Sequence, residues 1–261
     1  MQVLEAVLQA ADGTEIFYRT WPALQQARGI VVLVHGMGEH SGRYSQVAQF
    51  LAQRGLVTYA LDQRGHGLTS GEKGTVGRFD DFLDDLAAFV TLAVGQHPGL
   101  PLVMLGHSMG GLIATAYVLE RPLAPDYLVL SGPAIVPIFD PAERSIDPTR
   151  LTRDPEAWRS YLEDPLVLRE RVQDGLYTAL AHGLGLLVER AAGIRMPVLL
   201  IHGEADVLCS AEGARLYLQG ASSPDVTLLV YPEGRHEMLN EINRDDVLED
   251  LWSWLQSRLG A

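Results

Sequence analysis

Pro101-Leu102-Val103-Met104-Leu105-Gly106-His107-Ser108-Met109-Gly110-Gly111-Leu112 is the stretch that decides how this sequence folds. Leu102 to Leu105 is apolar without alternation, as a strand buried on both faces must be, and Leu112 to Glu120 continues as a helix. Between them, Gly106-His107-Ser108-Met109-Gly110 fits the pattern G-x-S-x-G. A hydroxyl that is to stand free at a sharp strand-to-helix turn strains its own backbone. Side chains two residues to either side would collide, so both places call for glycine. The helix that begins there aims unpaired N–H groups at whatever binds the serine. The short pattern alone is weak. The buried strand before it and the helix after it make it specific.

Similar units lie on both sides. Val3, Val7, Ile16 and Tyr18 flank Asp12-Gly13, a two-residue turn signal that predicts a hairpin. Ile30 to Val34 and Leu56 to Leu61 read as buried strands, with a helix over Tyr44 to Arg54 between them. Phe79, Phe82, Leu83, Leu86 and Val90 recur at helical spacing. Asp80, Asp81, Asp84 and Asp85 fall mostly on the other side near that helix's start, where the dipole explains them without a metal. Strands at Tyr127 to Leu130, Pro197 to Ile201 and Val226 to Val230 follow, then a last helix with Leu248, Leu251, Trp252, Leu255 and Leu259 on one face. Such alternation predicts a mostly parallel sheet covered by helices on both faces. From Gly132 to about Ile194 it stops, and prolines recur. The expected organisation is a core over 1–133 and 195–261, with a cap over 134–194 at the carboxyl ends of the strands.

The chain has 261 residues, 47% of them hydrophobic and 20% charged, enough for one large core. A formal net charge of −13 repels phosphates, which excludes nucleic acid and anionic lipid as electrostatic partners. Cys209 is the single cysteine, so no intrachain disulfide forms. The first residues lack a basic, then apolar, leader, and no run approaches the ~20 apolar residues of a membrane span. A cytoplasmic protein is the expectation.

A serine hydroxyl needs a base to take its proton, and the base needs a partner to fix its tautomer. With such an elbow the chain order is serine, acid, histidine. Of the histidines after Ser108, His182 falls in the cap and His202 ends a strand. His236 lies in a late loop able to return to the sheet's edge, and is the candidate base. Asp206, one unit earlier, is the candidate acid. Glu204 and Asp225 compete, the first pointing differently and the second at the sheet's wrong end. The backbone N–H groups of Met109 and Met37 are candidates for an oxyanion hole, the latter in His35-Gly36-Met37-Gly38. His35, Glu39 and His40 miss the spacing of known metal motifs, so no metal and no cofactor is expected. Cys209 is read as a buried inert thiol, with sensitivity to thiol reagents as the sharper alternative.

His35-Gly36-Met37-Gly38-Glu39-His40-Ser41-Gly42-Arg43-Tyr44, Asp62-Gln63-Arg64-Gly65-His66-Gly67, the elbow, His202-Gly203-Glu204-Ala205-Asp206 and Tyr231-Pro232-Glu233-Gly234-Arg235-His236-Glu237 together resemble the monoacylglycerol lipase family, the serine aminopeptidase S33-type hydrolases. The resemblance implies an α/β-hydrolase fold and cofactor-free hydrolysis of monoacylglycerols to glycerol and a fatty acid. It also implies the roles above for Ser108, Asp206, His236, Met37 and Met109. The cap departs from the family: Ile135, Val136, Ile138 and Phe139 are soon followed by Asp140-Pro141-Ala142-Glu143-Arg144. Membrane contact is therefore expected to be at most peripheral. Gly36, Ile135 and Leu184 are the candidate substrate contacts, Leu184 as part of an acyl tunnel or a packed cap helix. A general carboxylesterase or a lysophospholipase differs only in what the cap admits, and a non-catalytic ligand-binding protein is the reading from another class. Epoxide hydrolases and dehalogenases need a carboxylate where Ser108 stands.

Overall fold

Eight strands form one sheet in the computed structural model, in the order β1-β2-β4-β3-β5-β6-β7-β8. They are β1 (Leu4–Gln9), β2 (Glu15–Trp21), β3 (Gly29–Val34), β4 (Leu56–Leu61), β5 (Leu102–His107), β6 (Tyr127–Ser131), β7 (Val198–Gly203) and β8 (Val226–Tyr231). The structure describes residues 2–138, 147–169 and 173–259. β1 and β2 join antiparallel at one edge, and every pairing from β4 to β8 is parallel. This is the mostly parallel sheet that the alternation of elements predicts, in the α/β-hydrolase fold that the family resemblance implies. The first hairpin closes through a longer loop than two residues, with the Ala10 N–H bonded to Thr14 O at 2.9 Å and Gly13 at φ 87°.

The apolar runs fail to alternate because both faces of the sheet are covered. Ile30, Val32 and Val34 of β3 enter a core shared with α2 (Phe79–Gln96) and α3 (Met109–Glu120). Val31 and Leu33 enter a second core with α1 (Ser45–Gln53) and α7 (Arg244–Gln256). On α7 the packed face is Val247, Leu248, Leu251, Trp254 and Leu255. Trp252, expected among them, sits half-buried under the guanidiniums of Arg28 and Arg54, so cation–π contact replaces burial there. Asp85 also departs from its acidic neighbours: it is buried, and its carboxylate takes two hydrogen bonds from Arg64 at 2.8 and 3.0 Å.

Between β6 and β7 the described residues form α4 (Pro155–Glu163), α5 (Asp174–Leu187) and two short 3-10 turns. α4 starts with Asp154 accepting the Glu156 N–H at 2.8 Å and Pro155 at the first helical position. α5 buries Leu176, Ala179 and Leu187 in the core of α2 and α3. It comes so close that a Cβ on Gly183 would lie 2.3 Å from the Phe79 ring. Phe139 to Arg144, on which the departure of the cap was read, lies outside the described residues. α6 (Ala211–Leu218) links β7 to β8. No helix among the described residues is long and apolar enough to cross a membrane.

Candidate active site

The parallel strands end together at one edge, and the residues after them converge there. Ser108 follows β5 at φ 51° and ψ −119°, a left-handed conformation costing a non-glycine residue roughly 1–3 kcal/mol. Tight packing enforces it. A Cβ on Gly106 would stand 2.5 Å from Gly110 O, and one on Gly110 would stand 2.0 Å from Val34 O. The elbow therefore admits no side chain two residues to either side of the serine. Met109 is the first residue of α3, where an N–H has no acceptor within the helix.

Asp206, after β7, accepts at Oδ2 from His236 Nδ1 at 2.8 Å. Its Oδ1 takes the backbone N–H groups of Leu208 and Cys209 at 2.8 and 3.0 Å. Burial pushes the carboxyl pKa up, but the His236 charge and the bonds from His202 and His236 outweigh it and hold it well below the usual range. For His236, burial lowers the pKa, and the Asp206 carboxylate more than reverses this, leaving it raised above 6.5. With Nδ1 bound to Asp206, Nε2 is the nitrogen left for a substrate or nucleophile. The ring of His107 packs 4.9 Å from that of His236. Burial, then the His236 charge, bring His107 down to about 4, while its Nδ1 pairs with Ser131 O at 2.9 Å. Glu204 is exposed, Asp225 pairs with Arg258 at the start of β8, and His182 is exposed on α5. None of these competitors meets the serine.

The loop after β3 is tied down by its own side chains. His35 donates from Nδ1 to Gly36 O at 2.7 Å and accepts the Gln63 N–H at Nε2 at 2.9 Å. Glu39, taken from its motif only as a rejected metal ligand, accepts the Gly36 N–H and the Tyr44 hydroxyl, each at 2.6 Å, and Arg43 at 2.7 Å. Burial raises its pKa, but Arg43, with His107 and His35, brings it down to about 2. Arg43 also forks onto Glu237, the residue after His236, with two bonds of 2.8 Å. His40 bonds Asp164 at the end of α4 at 2.8 Å, and Leu168 donates to Gly38 O at 2.7 Å, so the segment before β7 is fastened to this loop. Among the described residues no cluster of His, Cys, Asp and Glu is arranged to hold a metal ion.

Ser108, His236, Gly36 and Met37 line one narrow cleft. Glu39, Arg43 and Glu237 give it a charged wall, and Leu151, Tyr161, Leu208 and Cys209 an apolar one. Cys209 is buried and its thiol pKa is pushed up by that burial, which makes it a poor nucleophile. Ile135 and Leu184 are absent from this lining: Ile135 is buried in the core of α2 and α3, and Leu184 packs half-buried against it. Leu151 and Tyr161 stand in their place, and nothing in the local sequence around them signals it. Glu39 and Arg43 carry an i,i+4 signal, but their link to Glu237 spans nearly the whole chain.

Fold and site together define a hydrolase of the serine α/β-hydrolase class. A family model described as "Serine aminopeptidase, S33" matches residues 25–142 and 136–243. The chain is 38% identical to a monoacylglycerol lipase of Mycolicibacterium smegmatis, the alignment covering 95% of each protein. It is 31% identical to the human monoglyceride lipase, over 95% of this chain and 89% of that one. The solved monoacylglycerol lipase of Paleococcus ferrophilus superposes with a TM-score of 0.81 at 27% identity, covering 98% of this chain and 99% of that one. A soluble variant of the Saccharomyces cerevisiae monoglyceride lipase superposes with a TM-score of 0.87 at 23% identity, over 100% and 96% of the two chains, a likeness of fold. The chain belongs to the monoacylglycerol lipase family of S33-type hydrolases.

Proposed function

We propose that this enzyme hydrolyses monoacylglycerols to glycerol and a fatty acid through an acyl-enzyme on Ser108. The observation that carries the reading is the 2.8 Å bond from His236 Nδ1 to a buried Asp206, with His236 and Ser108 on the wall of one cleft. Ser108 Oγ attacks the ester carbonyl as Nε2 of His236 takes its proton, and Asp206 holds the imidazolium that forms. The N–H groups of Met37 and Met109 stabilise the oxyanion; that of Gly36 is already committed to Glu39. The imidazolium protonates the departing glycerol oxygen. Water then attacks the acyl-enzyme, giving its proton to His236, and the fatty acid leaves as Ser108 is restored. No cofactor enters these steps.

Residues 134–194 act as the cap, contributing Leu151 and Tyr161 to the cleft. The charged wall suits a glycerol head group and the apolar wall the start of an acyl chain. Relatives named for monoacylglycerol hydrolysis support this choice over a simple alkyl esterase.

A fluorophosphonate probe should label the wild-type enzyme once, on Ser108, and Ser108→Ala should not be labelled. Ser108→Ala and His236→Ala should each lower ester turnover by several orders of magnitude while circular dichroism stays native. Monoacylglycerols should be turned over faster than diacylglycerols or alkyl esters of equal chain length. Absence of label on the wild type would leave a ligand-binding protein, and faster diacylglycerol turnover would end the monoacylglycerol assignment.

A further inference from the structure

We infer that His202 is a positioning residue for the reaction, a second imidazole that locks Asp206 in the orientation His236 requires. The inference rests on the proposed roles of Ser108, Asp206 and His236. His202, next to last in β7, has no exposed surface, and its Nε2 stands 3.0 Å from Asp206 Oδ2 and 3.1 Å from Cys209 O. Its Nδ1 is buried without a hydrogen-bond partner. The tautomer follows from these facts. A hydrogen on Nδ1 would orphan a buried donor and turn the Nε2 lone pair toward two oxygens. A hydrogen on Nε2 satisfies both oxygens and leaves only an acceptor unpaired, the smaller cost.

Asp206 Oδ2 therefore receives two imidazole N–H groups, from His202 and His236, while Oδ1 receives two backbone N–H groups. Without His202 the Oδ2 side has one donor, and that donor belongs to the group that must move a proton. The Oδ2 side of the carboxylate is then held by His236 alone, and rotation about χ2 is less restrained. It also presents its charge to His236 undivided. The groups facing His236 are Asp206 and His202 from the β7 end, His107 from β5, Glu39 from the loop after β3 and Glu237 beside it. Of these, His202 is the one that reaches His236 through the carboxylate oxygen they share.

The test compares His202→Leu, His202→Gln and His202→Asn on a p-nitrophenyl ester. A glutamine amide places an N–H near the Nε2 position, and an asparagine amide places one near Nδ1. His202→Leu and His202→Asn should lose 10- to 100-fold in kcat with KM within about twofold, and His202→Gln should recover most of the loss. The acid limb of kcat/KM should move to higher pH in His202→Leu, because His236 then faces the whole carboxylate charge. Wild-type kcat in a folded His202→Leu would overturn the inference. So would equal losses in all three variants with an unmoved acid limb, the mark of a packing role. If His202→Leu fails to fold, the Gln and Asn pair decides alone: equal activity overturns the inference, and a Gln advantage of about tenfold supports it. Fluorophosphonate labelling of wild type and the loss in His236→Ala are run beside these. Their failure removes the triad itself, whereas their success with an unaffected His202→Leu removes only the role of His202.

Discussion

Replacing Glu39 by glutamine should destabilise this enzyme by about 3 kcal/mol and expose how the loop after β3 is held. A buried carboxyl whose pKa falls from 4.5 to about 2 contributes about 3 kcal/mol to stability at neutral pH. Breaking a buried ion pair by removing one partner gives the same order. At roughly 2 °C per kcal/mol for a chain of this length, Glu39→Gln should melt about 6 °C below wild type. The depressed pKa also fixes the pH dependence. The contribution is complete above the unfolded value of 4.5 and is lost as pH falls toward 2, so the gap between the two proteins should close over that window. A glutamine oxygen can still accept the Gly36 N–H, and kcat on a p-nitrophenyl ester should fall no more than about tenfold. Glu39→Leu removes that acceptor, frees the loop carrying Met37, and should cost about 100-fold in kcat. Melting by circular dichroism and steady-state rates read both effects. Equal melting temperatures across pH would refute the ion-pair argument, and a folded Glu39→Leu with wild-type kcat would refute the loop argument.

Gly203→Ala should damage catalysis more than stability. Its Cβ would stand 2.2 Å from Gly234 O and 2.3 Å from Arg235 O, pushing away the loop that carries His236, with a loss of about 100-fold or more in kcat/KM. Asp206→Asn should lower kcat by about 10⁴-fold, the order found for the equivalent change in another serine triad. With the carboxylate charge gone, burial prevails at His236, so the residual activity should show its acid limb at lower pH than wild type. An acid limb that stayed in place would mean that His236 does not titrate against Asp206.

Much of the fold was legible because the deciding signals are local. The inner strands β3 to β7 are short, nearly continuous apolar runs, buried on both faces, and double-sided burial explains why they do not alternate. Ser108, Asp206 and His236 were each marked by the strand that ends just before its loop. What the sequence could not display is what depends on distant partners. α6 has eight residues and a weak apolar face, and it exists because it bridges two parallel strands. Leu151 and Tyr161 reach the cleft from a segment whose pattern carries no sign of a site. Ile135 and Leu184 looked like substrate contacts because they are apolar and lie in the cap, yet packing on α2 and α3 claims them. The spacing that set aside a metal reading of Glu39 gives no sign of its hold on Gly36, which needs the folded loop to be seen.

β8 borders solvent along one side, with Val226 and Val230 each 42% exposed, while β5 lies between β3 and β6. His236 hangs from the margin of the sheet and Ser108 from its middle. Fraying begins at margins, where the fewest contacts must be given up. Mild heating should thus silence the enzyme by letting go of His236 while Ser108 is still seated, and cooling should bring activity back without any refolding of the centre.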